Sequence, residues 1–326
     1  MVSEELFRSA LTNQLEATDF TGLGRRYVGK VRDNYTTDDG RRFIVVTDRI
    51  SAFDHVLGAI PFKGQVLNRL AAWWFDQTAA IVPNHKVRLA DPNVLECIEC
   101  VPLQVEFIVR AYLTGSTSTS IWTHYQRGSR EFCGYKLPEG MREHEKLREP
   151  ILTPSTKAPK GEHDVSGSRE QILATGHVSA RDFDEAAELA RKLFREGERM
   201  CAERGLILVD TKYEFGRTRE GSLVVIDEIH TPDSSRFWQQ ASYGARMDQG
   251  VAPEPLDKDF VRRYLVEQGY RGDGPPPPLP DAVRIGAAKR YIEAYERIVG
   301  EPFVPNLEAP MGRIARALSL NTETNG

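Results

Sequence analysis

The chain has 326 residues, 28% of them charged and 40% apolar, with a formal net charge of −4. That length buries a sizeable core in two subdomains or one large domain, while the acidic balance argues against a nucleic-acid-binding surface and leaves room for small anions held by local Arg and Lys clusters. No apolar run approaches the ~20 residues of a membrane span, and the opening MVSEELFRSA is acidic where a signal peptide is basic, so the expected location is cytoplasmic.

Residues 3 to 16 carry helical spacing through Leu6, Phe7, Ala10, Leu11 and Leu15. Gly24 to Val31 then fits G-x-x-x-x-G-K, but Val31 stands where a P-loop places its magnesium-binding Ser or Thr, and no apolar strand precedes it. Arg32 to Tyr35 and Arg42 to Thr47 read instead as a hairpin around Asp38-Asp39-Gly40. What survives is a Gly29-Lys30 loop with Arg32 beside it, suited either to lie over phosphates like a kinase Gly-rich loop or to serve as a basic edge strand. A turn-rich stretch leads to a helix over 64 to 82, packed by Val66, Leu67, Leu70, Trp73, Trp74 and Ile81. Val87 to Ala90 and Glu96 to Arg110 read as strands. The four cysteines include one C-x-x-C, Cys97 and Cys100, with no second pair or His cluster, so they read as reduced thiols.

Beyond Arg110, Gly115 and a Ser/Thr run precede a helical stretch, where hydroxyls and free N–H groups make an anion site to which Arg110 adds charge. The alternative is simple N-capping by Ser116 or Thr117. Residues 136 to 168 contain four Pro and many charges and read as solvated loop, with Lys157, His163 and Asp164 placed to close over a charged substrate. A helix follows from Ser179 as N-cap to Arg204, stopped by Gly205.

The stretch GLILVDTKYEFGRTREGSLVVIDE, 205 to 228, is the most informative. Two apolar runs flank a turn near Arg219 and Glu220, so it reads as a β-hairpin. Alternation puts Asp210, Lys212 and Glu214 on one face and Thr211, Tyr213 and Phe215 on the other, and the returning strand is expected to bring Asp227 roughly opposite Lys212. A Lys flanked by carboxylates suits a magnesium nucleotide: oxygen ligands hold the hard cation while the ammonium neutralises phosphate charge. A half-exposed hairpin with a cross-strand ion pair is the plainer alternative. Next, Asp233, Ser234, Ser235 and Arg236 read as one turn presenting a carboxylate, two hydroxyls and a guanidinium. Helices over 257 to 268 and 281 to 299 flank a GDGPPPP spacer.

GKVRD at 29 to 33, VEFIVRAYLTGS at 105 to 116, LVDTKYEFG at 208 to 216 and IDEIHTPDSSRFW at 226 to 238 together closely resemble the SAICAR synthetase family over about residues 20 to 300. The resemblance implies an ATP-dependent ligase of purine biosynthesis that joins L-aspartate to the carboxylate of carboxyaminoimidazole ribonucleotide (CAIR), with ATP and Mg2+ as cofactors and an acyl phosphate as intermediate. It implies a two-lobed α+β to α/β fold, with a β-rich N-terminal lobe (1–110) over an α/β lobe (111–326) and a kinase-like or ATP-grasp-like nucleotide cleft. By position, Gly29, Lys30 and Arg32 resemble nucleotide contacts, and Glu106 marks the strand near the adenine. Arg110, Ser116 and Arg236, with Ser235 and Asp233 beside them, resemble the CAIR phosphate ligands. Asp210, Lys212 and Glu214 match the central site, Asp227 with Glu214 the magnesium ligands, and Lys157, His163 and Asp164 the substrate loop. The chain resembles the longer form of the enzyme, a monomer or homodimer acting on small molecules. Its rivals are a kinase of similar cleft type, although no H-R-D-x-x-x-x-N or D-F-G stands in usable form, and a nucleotide-binding regulator without turnover.

Overall fold

A computed structural model of the chain describes residues 2–117, 120–157 and 165–320. In chain order it runs α1 (Glu4–Ala10), β1 (Arg25–Val28), β2 (Arg32–Thr36), β3 (Arg41–Val46), β4 (Arg49–Ala52), β5 (His55–Ala59), α2 (Lys63–Thr78), β6 (Lys86–Asp91) and β7 (Val94–Ile98). There follow β8 (Val101–Pro102), β9 (Val105–Tyr112), α3 (Ile121–Gln126), β10 (Glu131–Phe132), β11 (Tyr135–Lys136), β12 (Lys146–Thr156), α4 (Arg169–Ala174) and α5 (Ala180–Glu203). The remainder is β13 (Leu206–Arg217), β14 (Leu223–Ile226), β15 (Ser235–Gln239), α6 (Gln240–Asp248), α7 (Asp259–Glu267), α8 (Asp281–Val299) and α9 (Pro310–Ala317). The fold is mixed α and β, and among the described residues no helix is long and apolar enough to cross a membrane.

Two compact units interleave along the chain, unlike a simple division at residue 110: Met1–Asp76, His85–Glu99 and Asp257–Gly326 form one, and Gln77–Asn84 with Cys100–Leu256 the other. In the first, an antiparallel sheet has the order β1-β2-β3-β7-β6. Its hairpin of β2 and β3 pairs Tyr35 with Phe43, and both rings join Phe20, Val45, Val94 and Ile314 of α9 in one core. Arg313 anchors α9 through Nη1, which donates to both Asp91 carboxylate oxygens at 2.7 and 2.8 Å, and through Nη2, which donates to Asn93 Oδ1 at 2.7 Å. The buried Asp48 carboxylate accepts the backbone N–H groups of Leu15 and Gly64, each at 2.8 Å.

The second unit is built on a sheet of order β12-β9-β13-β14, with β15 and β8 also paired to β13. Its apolar face carries Phe107 and Phe215, whose ring centroids lie 5.5 Å apart, with Phe183 of α5 5.3 Å from Phe107. Ser179 caps α5 as its sequence predicts, accepting Asp182 N–H at 3.1 Å, and Gly205 ends it at φ 69°.

Much of the stretch expected to be solvated loop is instead β12. Leu147, Ile151 and Leu152 bury their side chains there, and the strand tolerates Pro150 and Pro154 because it is an edge strand with β9 as its ladder partner. A register shift between Lys146 and Ile151 takes up Pro150. The helix expected over 3 to 16 is only α1, and α2 ends at Thr78 rather than 82.

Candidate active site

β9 and β13 are antiparallel neighbours in which Asp210 pairs with Arg110 and Lys212 with Ile108. Strand alternation therefore gathers Glu106 and Arg110 of β9 and Asp210, Lys212 and Glu214 of β13 on one face. Tyr213 and Phe215 take the opposite, buried face. Within the charged face the side chains divide into two clusters of opposite sign.

The first centres on Lys212. Its Nζ donates to Glu106 Oε1 at 3.1 Å, to Glu214, and lies 3.9 Å from Asp227 Oδ2. Lys157, at the end of β12, donates to the other oxygen of Glu214. Burial alone would push the Lys212 pKa down, but Glu214, Glu106 and Asp227 outweigh it and hold it well above its ordinary value, so the ammonium stays charged. Burial likewise works to raise Glu214, yet Lys212 and Lys157 reverse the sign and keep it well below the usual carboxylate range. For Glu106, burial wins and its carboxyl is raised. Two ammoniums against three carboxylates leave an excess of one negative charge when all are ionised, a setting that favours a cation.

Asp227 reaches this cluster by a route that the hairpin pattern alone does not give. β14 pairs Ile226 with Glu214, so an extended residue 227 would lie opposite Tyr213 and follow it to the apolar face. At Asp227 the backbone instead enters the left-handed region, φ 68°, and the carboxylate returns to the Lys212 face. The expected proximity holds, but it comes from a backbone turn rather than from register.

The second cluster is cationic. Arg110 donates to Thr153 Oγ1 at 2.9 Å and to Asp210 Oδ2 at 3.3 Å, and Arg236 donates to the same Asp210 oxygen. Two guanidiniums against one carboxylate leave one positive charge, which suits an anion. Burial lowers the Arg110 pKa somewhat, with Asp210 opposing, and guanidinium remains charged at any working pH. Gly115 lies beside this cluster at φ 126°, where a Cβ would stand 2.4 Å from Ser120 Cβ and 3.6 Å from Arg236 Nη2. Only glycine combines that backbone with that approach.

Several sequence expectations need correction here. Arg236 is not in a turn: it lies on β15, paired with Asp210. Ser235 alternates away from it, buried, its hydroxyl donating to Thr211 Oγ1 at 2.6 Å, so the 233–236 groups do not face one way. Asp233 stays in the turn, its N–H donating to Thr231 Oγ1 at 3.3 Å. α3 is capped by Ser120, which accepts Thr123 N–H at 3.3 Å, and not by Ser116 or Thr117. Ser116 is exposed next to Gly115.

In the first unit, Gly29 and Lys30 do form the expected tight loop between β1 and β2, closed by Gly29 N–H donating to Arg32 O at 2.8 Å. Lys30 pairs with Asp54 at 2.5 Å, and Arg49 braces the loop from below by donating to the Gly29 and Lys30 carbonyls and to Asp33. His163 and Asp164 lie outside the described residues.

Thr153 carries no site signal in the sequence because its Pro-rich segment reads as loop; in β12, where Ile151 pairs with Arg110, period two puts it on the face of Arg110. Among the described residues no group of three or more His, Cys, Asp or Glu forms an all-protein metal cage. Mg2+ ordinarily takes one or two carboxylates and completes its octahedron with waters and phosphate oxygens. Asp227 and Glu214, both against Lys212, fit that donor set.

Comparison with known proteins gives concordant results. The family model for SAICAR synthetase matches residues 25–277. A phosphoribosylaminoimidazole-succinocarboxamide synthase of Legionella pneumophila (strain Paris) is 48% identical over 284 residues, 86% of this chain and 90% of the relative. One from Bacteroides thetaiotaomicron is 47% identical over 295 residues, 89% of this chain and 92% of the relative. A Saccharomyces cerevisiae SAICAR synthase solved in complex with SAICAR superposes with a TM-score of 0.75 at 32% identity, covering 89% of this chain and all of that one.

Proposed function

The chain belongs to the SAICAR synthetase family, whose reaction is the ATP-dependent joining of L-aspartate to the carboxylate of CAIR, and from that premise we propose that its two charged clusters divide the work of this reaction. The cationic pair Arg110 and Arg236, with Ser116 at the neighbouring turn, would hold the CAIR phosphate. The Lys212 cluster would manage phosphoryl transfer. The observation that carries this reading is the placement of the Lys212 ammonium between Glu106, Glu214 and Asp227.

A carboxylate resists attack by an amine. In this scheme a CAIR carboxylate oxygen takes the γ-phosphoryl group from ATP, releasing ADP and leaving an acyl phosphate. The aspartate nitrogen then attacks the acyl carbon, the C–O bond to phosphate breaks, and the nitrogen loses a proton. Phosphoryl transfer needs alignment and charge neutralisation more than a covalent nucleophile. Lys212 would supply a fixed positive charge at the transferring group, and Glu106 and Glu214 would hold that ammonium in place. Lys157 would bring a second positive charge to the same carboxylate. Asp227 and Glu214 would hold Mg2+, which when bound neutralises phosphate charge. Lys30 and Arg32 of the Gly29 loop would contact nucleotide phosphates, in the two-lobed, kinase-like arrangement that the family resemblance implies.

Steady-state ADP release with each substrate omitted in turn tests the scheme. Release should require both CAIR and L-aspartate; sustained release without aspartate would identify a kinase-type reaction instead.

A further inference from the structure

Gly197 sits inside the 24-residue α5, in its C-terminal third, where glycine weakens a helix and its backbone needs no left-handed angle. Space explains the residue. A Cβ at 197 would stand 2.5 Å from Cε1 of His230 and 2.9 Å from each of its ring nitrogens, so the imidazole lies directly on the helix backbone. His230 is fully buried and itself has a left-handed φ of 50°. Its Nε2 is 2.5 Å from the Tyr213 hydroxyl. Tyr213 is also fully buried and stands between Lys212 and Glu214 in β13, facing the other way. Burial pushes the imidazole pKa down to about 3, so the ring is neutral and its contacts are those of packing and hydrogen bonding.

The segment 227–231 leaves β14 through two non-glycine residues with positive φ, Asp227 and His230. Such angles persist only where surrounding structure fixes them. Its far end is tied down by Ser235 N–H donating to Thr231 O at 2.9 Å, and by Lys212 N–H donating to Ser234 O at 3.0 Å. We infer that Gly197 and Tyr213 form a size-matched socket for His230, and that this seated ring holds the 227–231 backbone in the turn that directs Asp227 to the Lys212 face. His230 is then a positioning residue: it acts through Asp227 and touches no reacting atom. This rests on the role given to Asp227 above.

The test compares Gly197→Ala, His230→Ala, the double variant and Asp227→Asn, all assayed at least ten degrees below their melting temperatures. Readouts are melting temperature, kcat, the KM for CAIR, and the gain in ADP affinity on adding Mg2+ measured by calorimetry. Gly197→Ala and His230→Ala should each lose tenfold or more in kcat and a similar factor in the Mg2+-dependent gain, with the KM for CAIR within about threefold of wild type. The double variant should recover melting temperature over Gly197→Ala, because the added methyl enters space the imidazole has left, but should not recover kcat. Should Gly197→Ala fail to fold, His230→Ala, which opens space rather than creating a clash, carries the same prediction. Wild-type kcat and Mg2+ dependence in folded His230→Ala, or recovery of kcat in the double variant, would overturn the inference. Asp227→Asn separates the two levels: loss there beside a silent His230→Ala sinks the socket alone, and no loss there sinks the Asp227 assignment and the socket's purpose with it.

Discussion

Asp227 Oδ2 lies 3.9 Å from Lys212 Nζ although its own strand ended one residue earlier, at Ile226. A single left-handed residue thus decides which face of the sheet receives the carboxylate. The Lys212 cluster is therefore assembled from two kinds of information: strand periodicity, which places Glu106, Lys212 and Glu214, and a strained turn, which places Asp227.

Replacing Lys212 by Met should harm stability and turnover together. Glu106 and Glu214 would lose the ammonium they share, with Lys157 still paired to Glu214, and losing a half-buried charged partner in this way costs roughly 1–3 kcal/mol. Turnover should fall at least ~100-fold, the scale for losing a group aimed at developing charge. Adding Glu106→Gln should restore part of the melting temperature and none of the turnover. Recovery of both would show that Lys212 is structural.

Arg110→Ala should weaken CAIR far more than ATP. Removing one charge-assisted partner of a bound phosphate is worth about 2 kcal/mol, or roughly thirtyfold in KM for CAIR, with the KM for ATP nearly unchanged. Arg110→Lys should not rescue, since the planar fork that spans Thr153 and Asp210 is lost. Equal effects on both ligands would contradict the division of the site into two clusters.

Asp48 makes stability depend on pH in a direction opposite to most carboxylates. Burial raises its pKa to about 6 from 3.8, against the N–H donors of Gly64 and Leu15. A raised carboxyl stabilises the fold fully below its unfolded value and loses that contribution as pH rises through its folded value. Wild type should therefore lose about 2 kcal/mol relative to Asp48→Asn between pH 4 and 7. Urea unfolding of both proteins across that range measures it. A flat difference would show that Asp48 ionises freely in the fold.

Gly64→Ala should prevent stable folding of the first unit. A Cβ there would lie 2.3 Å from the Val46 carbonyl and 2.4 Å from Asn93 Nδ2, and neither neighbour is the free end of a flexible chain, since Asn93 Nδ2 donates to the same carbonyl at 2.8 Å. Soluble expression and a far-ultraviolet melt would check it; a melting temperature within a few degrees of wild type would contradict it.

What could be seen in advance followed from local periodicity. The hairpin, the α5 helix with its Ser179 cap, and the shared face of Asp210, Lys212 and Glu214 all follow from side-chain spacing within one segment. β12 was hidden because its prolines signal loop, and only its place at the sheet edge makes them harmless. Arg236 reads as a turn residue because PDSS is turn chemistry; its pairing with Asp210 depends on a strand 26 positions away. The joining of α9 to the β1–β3 core is likewise a long-range event, fixed by Arg313 and Asp91, with no local pattern to announce it.

The most direct measurement is ADP release by folded Asp227→Asn with ATP, CAIR and L-aspartate all saturating. The account predicts a loss of at least ~100-fold with an unchanged melting profile. Release within a few-fold of wild type would mean that the carboxylate turned toward Lys212 is not where phosphoryl transfer occurs.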